Sequence, residues 1–277
     1  MLTLVATPIG NLKDITLRAL ETLKEADLIA CEDKRVSSTL LNHYGISKPL
    51  LSYHDHNAEQ TRPKIMALLR QGKSVAYITD GGLPLISDPG YKLVVACREE
   101  NLPYTVIPGP SAPLMALCLS ALPPDRFLFC GFLPPKSGGR KAGFEDVKDI
   151  AATLIFFESP KRLVAFLADA KEVLGERRAS VSREMTKMFE ETQQSDLSQL
   201  ITHFTDTPPR GEIVVVIEGA LTKPDVKDVD IETHLQNALE RYSMKEAVSL
   251  VATACGLSKR EVYQRALQLK SKTKGPS

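Results

Sequence analysis

Short apolar runs alternate with amphipathic helical patterns from the first residues to about residue 218, and this alternation limits the fold more than any other feature. The runs Leu2–Ala6, Leu28–Cys31, Val75–Thr79, Tyr104–Ile107, Thr153–Phe157, Ala179–Ser182 and Ile213–Ile217 are each one strand long. Between them, Leu17–Ala26, Lys64–Gln71 and Leu163–Leu174 place apolar residues at helical spacing. Strand–helix alternation predicts an α/β fold of parallel or mixed sheets covered by helices, because parallel neighbours need a crossover between them. A chain of 277 residues accommodates two such domains and a small appendage.

Two boundaries stand out. At Ser120–Asp125 the helical pattern stops at a Pro pair and a new apolar segment, Phe127–Leu133, begins. Residues 219–230 are polar, contain Gly and Pro, and read as a linker. The expected division is an α/β domain over 1–119, a second over 120–222, and a helical unit over 229–277. In that unit, Ser243 to Glu246 and Ser258 to Glu261 each have capping-box spacing, and Gly256 between them suits a helix end. Such a helix–turn–helix either covers an apolar face as a plain hairpin or contacts nucleic acid.

Composition narrows the class further. No stretch approaches the roughly 18 apolar residues of a membrane span. The start, MLTLVATPIGN, has neither the basic region nor the cleavage pattern of a secretory signal. Five scattered cysteines without Cys-x-x-Cys spacing argue against a disulfide framework or zinc site and fit a reducing, cytoplasmic location. The net charge of +1 gives no global sign of nucleic-acid binding, so an RNA partner requires basic residues gathered on one face.

Five loops at strand ends have unusual composition: Ala6–Asp14, Cys31–Arg35, Thr79–Gly90, Pro108–Ala112 and Phe157–Arg162. None carries a dinucleotide or P-loop fingerprint. Gly81 and Gly82 permit close backbone approach to a ligand, and Ser111 is placed to cap the following helix. The apolar neighbours Leu83, Ile86, Ala112 and Phe157 suit an adenine ring and a thioether chain better than a triphosphate. Within Tyr53–Asn57, alternation lets only His54 and His56 converge, so a polar substrate loop is expected there rather than a metal site. Pro134–Lys141 reads as a flexible basic loop, either contacting phosphates or simply solvated.

TPIGNLKDIT, ACED-x-R, HDHN, LPLISDPGY, PGPSA, GFLPPKSGGRK, REMTK and GEIVVVIEG occur in that order along the chain. The set closely resembles the ribosomal RNA small subunit methyltransferase I family, bacterial 2′-O-ribose cytidine methylases of the tetrapyrrole methylase superfamily. The resemblance implies two α/β domains holding S-adenosylmethionine in the cleft between them, a homodimer, and a decoding-centre cytidine of 16S rRNA as target. It places Pro8, Ile9, Asp80, Gly82, Leu83, Ile86, Ser111, Ala112, Phe157, Met185 and Glu212 around the cofactor. The family's Asp-Ala-Gly-Thr-Pro is Asp80-Gly-Gly-Leu-Pro84 here, so Leu83 supplies no hydroxyl and contact there falls to the backbone. Lys34 stands where the family has Thr.

A ribose hydroxyl is a weak nucleophile, so a proton acceptor is expected near the transferred methyl. Asp33, Asp88 and Glu184 are the candidates, with Arg35 and Lys187 expected on phosphates, and no metal is required. Two alternatives stay open: methylation of a tetrapyrrole precursor on the same fold, and a non-enzymatic nucleic-acid-binding protein.

Overall fold

The first five strands form one parallel sheet in the order β3-β2-β4-β1-β5: β1 (Leu2–Val5), β2 (Leu28–Cys31), β3 (Leu50–Ser52), β4 (Val75–Ile78) and β5 (Tyr104–Ile107). The computed structural model describes residues 1–220, 231–255 and 258–273. Helices α1 (Leu17–Glu25), α2 (Lys34–His43), α3 (Ala58–Arg70) and α4 (Tyr91–Glu99) make the crossovers. Both central strands are buried throughout, which is why they read as unbroken apolar runs. Val5, Ile29 and Ile78 pack with α1 and α2 on one face; Leu4, Tyr77, Ile65 and Leu93 pack with α3 and α4 on the other. Because β2, β4, β1 and β5 are neighbours and all parallel, the loops that follow them emerge side by side at one sheet edge.

The chain then crosses to a second sheet through α5 (Ala112–Leu119), whose Ala116 and Leu117 pack on Ile155, Val214 and Val216. Thus α5 lies on the second sheet although it precedes the boundary expected at 119/120. That sheet runs β6-β7-β10-β8-β9, from β6 (Phe127–Phe132), β7 (Thr153–Glu158), β8 (Arg178–Arg183), β9 (Glu191–Asp196) and β10 (Ile213–Ile217). Only the β6–β7 pair is parallel. Its far face is covered by α6 (Ser137–Glu145), α7 (Leu163–Leu174) and α8 (Leu197–Asp206). Phe144, Phe156 and Phe166 meet there edge to face, with centroids 5.0–5.5 Å apart.

One expectation is corrected here. Residues Ser137–Lys141 of the anticipated flexible basic loop form the first turns of α6. Arg140 is buried against Asp169, with Nε 2.7 Å from Oδ2, and Lys141 Nζ lies 2.6 Å from Glu172 Oε1. Neither cation is left for phosphate.

The chain divides into two compact units, Met1–Gly219 and Ala220–Ser277. The second contains α9 (Ile231–Leu239), α10 (Met244–Cys255) and α11 (Lys259–Thr273), packed around Leu235, Val248, Val251, Val262 and Ala266. Both capping boxes form: Ser243 N donates to Glu246 Oε2 at 3.1 Å, and Ser258 N to Glu261 Oε2 at 3.2 Å. Gly256 and residues 221–230 of the expected linker lie outside the described residues. Among the described residues no helix is long and apolar enough to cross a membrane, and no group of three or more His, Cys, Asp or Glu is arranged to hold a metal.

Candidate functional site

The strand-end loops of the first sheet face those of the second across a cleft of about 550 Å³. One wall is built from the loops after β1, β2 and β4, giving Pro8, Ile9, Glu32, Asp80, Ser87 and Asp88. The other comes from the ends of β6, β7 and β8 and the start of β10, giving Phe132, Phe157, Met185, Lys187 and Glu212. Ala112, at the start of α5, joins the two.

Two devices fix this geometry. Asn11 N donates to Thr186 Oγ1 at 3.0 Å, and a Cβ on Gly10 would meet Lys187 Cγ at 2.6 Å, so the first loop lies directly on the β8 loop. In addition, non-glycine residues adopt left-handed backbone on both walls: Leu85 (φ 77°) and Ser87 (φ 64°) on one, Glu184 (φ 48°) and Thr186 (φ 67°) on the other. Such conformations cost about 1–3 kcal/mol each and concentrate at functional sites. The first loop is further pinned by the pairing of Thr7 with Gly82, and the loop after β4 by Tyr77 Oη donating to Pro89 O at 2.8 Å.

The carboxylates differ sharply in state. Asp33 caps α2 through Arg35 N at 2.8 Å, and the Arg35 guanidinium grips it at 2.7 Å, holding its carboxyl down at about 2. Glu184 accepts from Lys187 Nζ at 2.9 Å and from Glu212 N at 3.0 Å, which keeps its carboxyl below the usual range. Glu32, Asp80 and Asp88 are all pushed up, in each case chiefly by burial, with neighbouring carboxylates adding to it. Lys187 is bound by both Glu184 and Glu212 at 2.9 Å, and these two carboxylates outweigh burial to raise its ammonium.

Of the cofactor residues expected from sequence, Pro8, Ile9, Asp80, Ala112, Phe157, Met185 and Glu212 line the cleft. Gly82, Leu83, Ile86 and Ser111 do not. Gly82 is taken up by its pairing with Thr7, Ile86 is 38% exposed, and Ser111 starts α5 without a side-chain cap bond. Of the residues expected to carry chemistry, Asp88 and Lys187 line the cleft, whereas Asp33, Arg35 and Glu184 do not. Sequence reasoning overlooked Glu32, Ser87, Phe132 and Glu158. All four sit inside segments already singled out, and Glu32, Ser87 and Glu158 directly adjoin residues that were chosen.

The description Tetrapyrrole (Corrin/Porphyrin) Methylases matches residues 1–201, and RsmI C-terminal HTH domain matches residues 225–270. The Ribosomal RNA small subunit methyltransferase I of Mesorhizobium japonicum is 50% identical over 270 residues, covering 96% of this chain and 91% of its own. That of Haemophilus influenzae is 44% identical over 274 residues, 96% of each chain. The chain belongs to the ribosomal RNA small subunit methyltransferase I family. In Thermotoga maritima the family has a member 45% identical over 218 residues, which cover 98% of that protein but 79% of this chain. Solved structures carry the fold beyond the family. Diphthine synthase superposes with a TM-score of 0.61 at 17% identity over 78% of this chain and 89% of that one. Uroporphyrin-III-C-methyltransferase from Thermus thermophilus gives 0.55 at 20% identity over 78% and 93%.

Proposed function

We propose that this chain methylates the ribose 2′-oxygen of a decoding-centre cytidine in 16S rRNA of the small ribosomal subunit, with S-adenosylmethionine bound in the cleft. The observation that carries this reading is the cleft's lining. Apolar Pro8, Ile9, Ala112, Phe157 and Met185 stand beside Glu32, Asp80, Asp88 and Glu212, against one ammonium, Lys187, that is already paired. A phosphate-rich cofactor is repelled by such a surface; a ligand with an adenine ring, ribose hydroxyls and two cationic centres fits it. S-adenosylmethionine supplies an electrophilic methyl group when bound.

The chain's own residues then have distinct tasks. Alignment of the reacting groups is worth roughly 7–11 kcal/mol, and the strained, mutually pinned loops are built to hold it. Asp88 takes the ribose proton in this reading. Its carboxylate faces the cleft without a tight cationic partner, whereas those of Asp33 and Glu184 are committed to Arg35 and Lys187. RNA contact falls to the second unit, whose residues 231–277 contain eight Lys and Arg against four Glu. The family relationship supports a cytoplasmic homodimer, for which exposed Tyr104, Val106 and Phe127 on the edge strands β5 and β6 supply apolar contact surface.

Mass mapping of methylated nucleosides in rRNA from cells with and without the protein tests the reading. One 2′-O-methylcytidine should vanish from 16S rRNA when the protein is absent. An unchanged 16S map, or a loss confined to a base-methylated nucleoside, defeats it.

A further inference from the structure

A second cavity, of about 440 Å³, opens beside the cofactor cleft, between the start of α3 and the start of α4. Its volume falls within the roughly 300–1,000 Å³ of small-ligand sites. Asp88 lines both cavities. The loop that carries Asp88 is the strained one, with Ser87 left-handed and Gly90 at φ 121°, where a Cβ would strike Tyr77 Cε1 at 2.6 Å.

The lining is mixed in a telling way. Tyr53 is 1% exposed, packs edge to face on Tyr77 at 5.6 Å, and its hydroxyl makes no hydrogen bond. Arg62 lies close enough for its charge and a loose contact to oppose the effect of burial on that hydroxyl, without a hydrogen bond of normal geometry. A buried polar group left unpaired is costly, and such groups are rare in folded proteins. At the other side Tyr91 is 71% exposed and offers a free ring. Asp55, Glu59 and Asp88 supply acceptors; Lys92 and Gln60 supply donors. Three carboxylates against one lysine disfavour a phosphate, while acceptors set among donors suit the edge of a base that carries an amino group.

We propose that this second cavity receives the target nucleobase, an amino-bearing base turned out of the RNA, with its ribose at Asp88 where the two cavities meet. The 2′-oxygen and the base hang from adjacent ribose carbons, so a base must lie close to any 2′-oxygen presented to the cleft. Enzymes that work on a stacked nucleotide extract it and read its edge in a pocket between aromatic and polar side chains. Tyr91 gives the stacking face, the Tyr53 hydroxyl meets a base acceptor, and Asp55 accepts from the exocyclic amine. This inference rests on the ribose-methylation reading above.

The test uses the full chain, small ribosomal subunits lacking the modification, and the variants Tyr53→Phe, Tyr91→Ala and Asp55→Asn. Loss of a base–aromatic stack should lower kcat/KM of Tyr91→Ala about tenfold or more. Tyr53→Phe should lose a similar factor with little fall in Tm, since the hydroxyl it removes makes no hydrogen bond of normal geometry in the fold. Asp55→Asn should narrow the preference for cytidine over uridine at the target position. Affinity for S-adenosylmethionine should stay within about twofold throughout, because the three residues lie outside the cofactor cleft. If the wild type methylates the ribose while both tyrosine variants keep wild-type kcat/KM, the base pocket is refuted and the ribose reading stands. If the wild type produces no 2′-O-methyl nucleoside on these subunits, the ribose reading fails and this inference fails with it.

Discussion

Asp88 differs from its acidic neighbours in what surrounds it rather than in chemistry. Asp33 is ionised at every working pH because Arg35 holds it at about 2, and a carboxylate so stabilised is a poor proton acceptor. Burial lifts Asp88 above its ordinary 3.8, which suits the proposed role of proton acceptor better than a lowered value would. Asp88→Asn should therefore reduce kcat by about 10²–10⁴-fold with cofactor affinity preserved, and Asp33→Asn by far less. In the wild type, kcat/KM should fall as pH drops through a carboxyl pKa above 3.8, since only the ionised form works. Stability runs the opposite way. A raised native pKa means that the fold favours the protonated carboxyl, so the stabilising contribution is complete below the unfolded value and is lost as pH rises through the native one. Asp88→Asn should accordingly melt higher than wild type near neutral pH, with the gap closing under acid conditions. A variant that is both active and no more stable would show that Asp88 is neither the base nor strained by burial.

The elements that escaped the sequence reading did so for identifiable reasons. Strand β9, Glu191–Asp196, is polar in every position because it is the edge of its sheet and pairs only with β8, so no apolar alternation announces it. Strand β3 is three residues at the opposite edge of the first sheet. Helix α6 begins Ser-Gly-Gly-Arg-Lys, a composition that favours loops, and tertiary contact overrides the propensity. Runs buried on both faces, such as β1, β4 and β10, were legible because burial leaves no polar residue to interrupt them. The site shows the same division. The motifs marked every loop that forms the cleft, but which carboxylates are lifted by burial depends on packing between segments distant in the chain, as for Glu32, Asp80 and Asp88, and spacing does not reveal this. The α6 ion pair gives a direct test of that override. Arg140 and Asp169 have side chains 5% and 11% exposed, and removing one partner strands a buried charge. Arg140→Ala should cost about 3–5 kcal/mol in denaturant unfolding, whereas Lys141→Ala on the same helix should leave the unfolding midpoint nearly unchanged. Equal small effects would mean that α6 is held by its apolar face alone.

At the scale of the whole chain, the cleft lies entirely within the unit Met1–Gly219, and the basic helix α11 lies in the other. The match to the family member in Thermotoga maritima leaves a fifth of this chain without a counterpart. The proposed catalytic cleft and the proposed RNA contact are thus separable in principle. Phosphate contacts release counterions, so the logarithm of affinity falls with the logarithm of salt by about 0.7–0.9 for each phosphate neutralised. A chain ending at Gly219 should bind S-adenosylmethionine as the full chain does, yet bind small subunits more weakly and with a shallower salt dependence. The full chain's steeper slope should in turn be reduced stepwise by removing Lys259, Arg260 and Arg265, all of which lie in α11. Cofactor binding measured beside it guards against a simple folding defect. Should the shortened chain match the full one in both affinity and slope, the helical unit plays no part in RNA contact, and its basic residues are ordinary solvated surface.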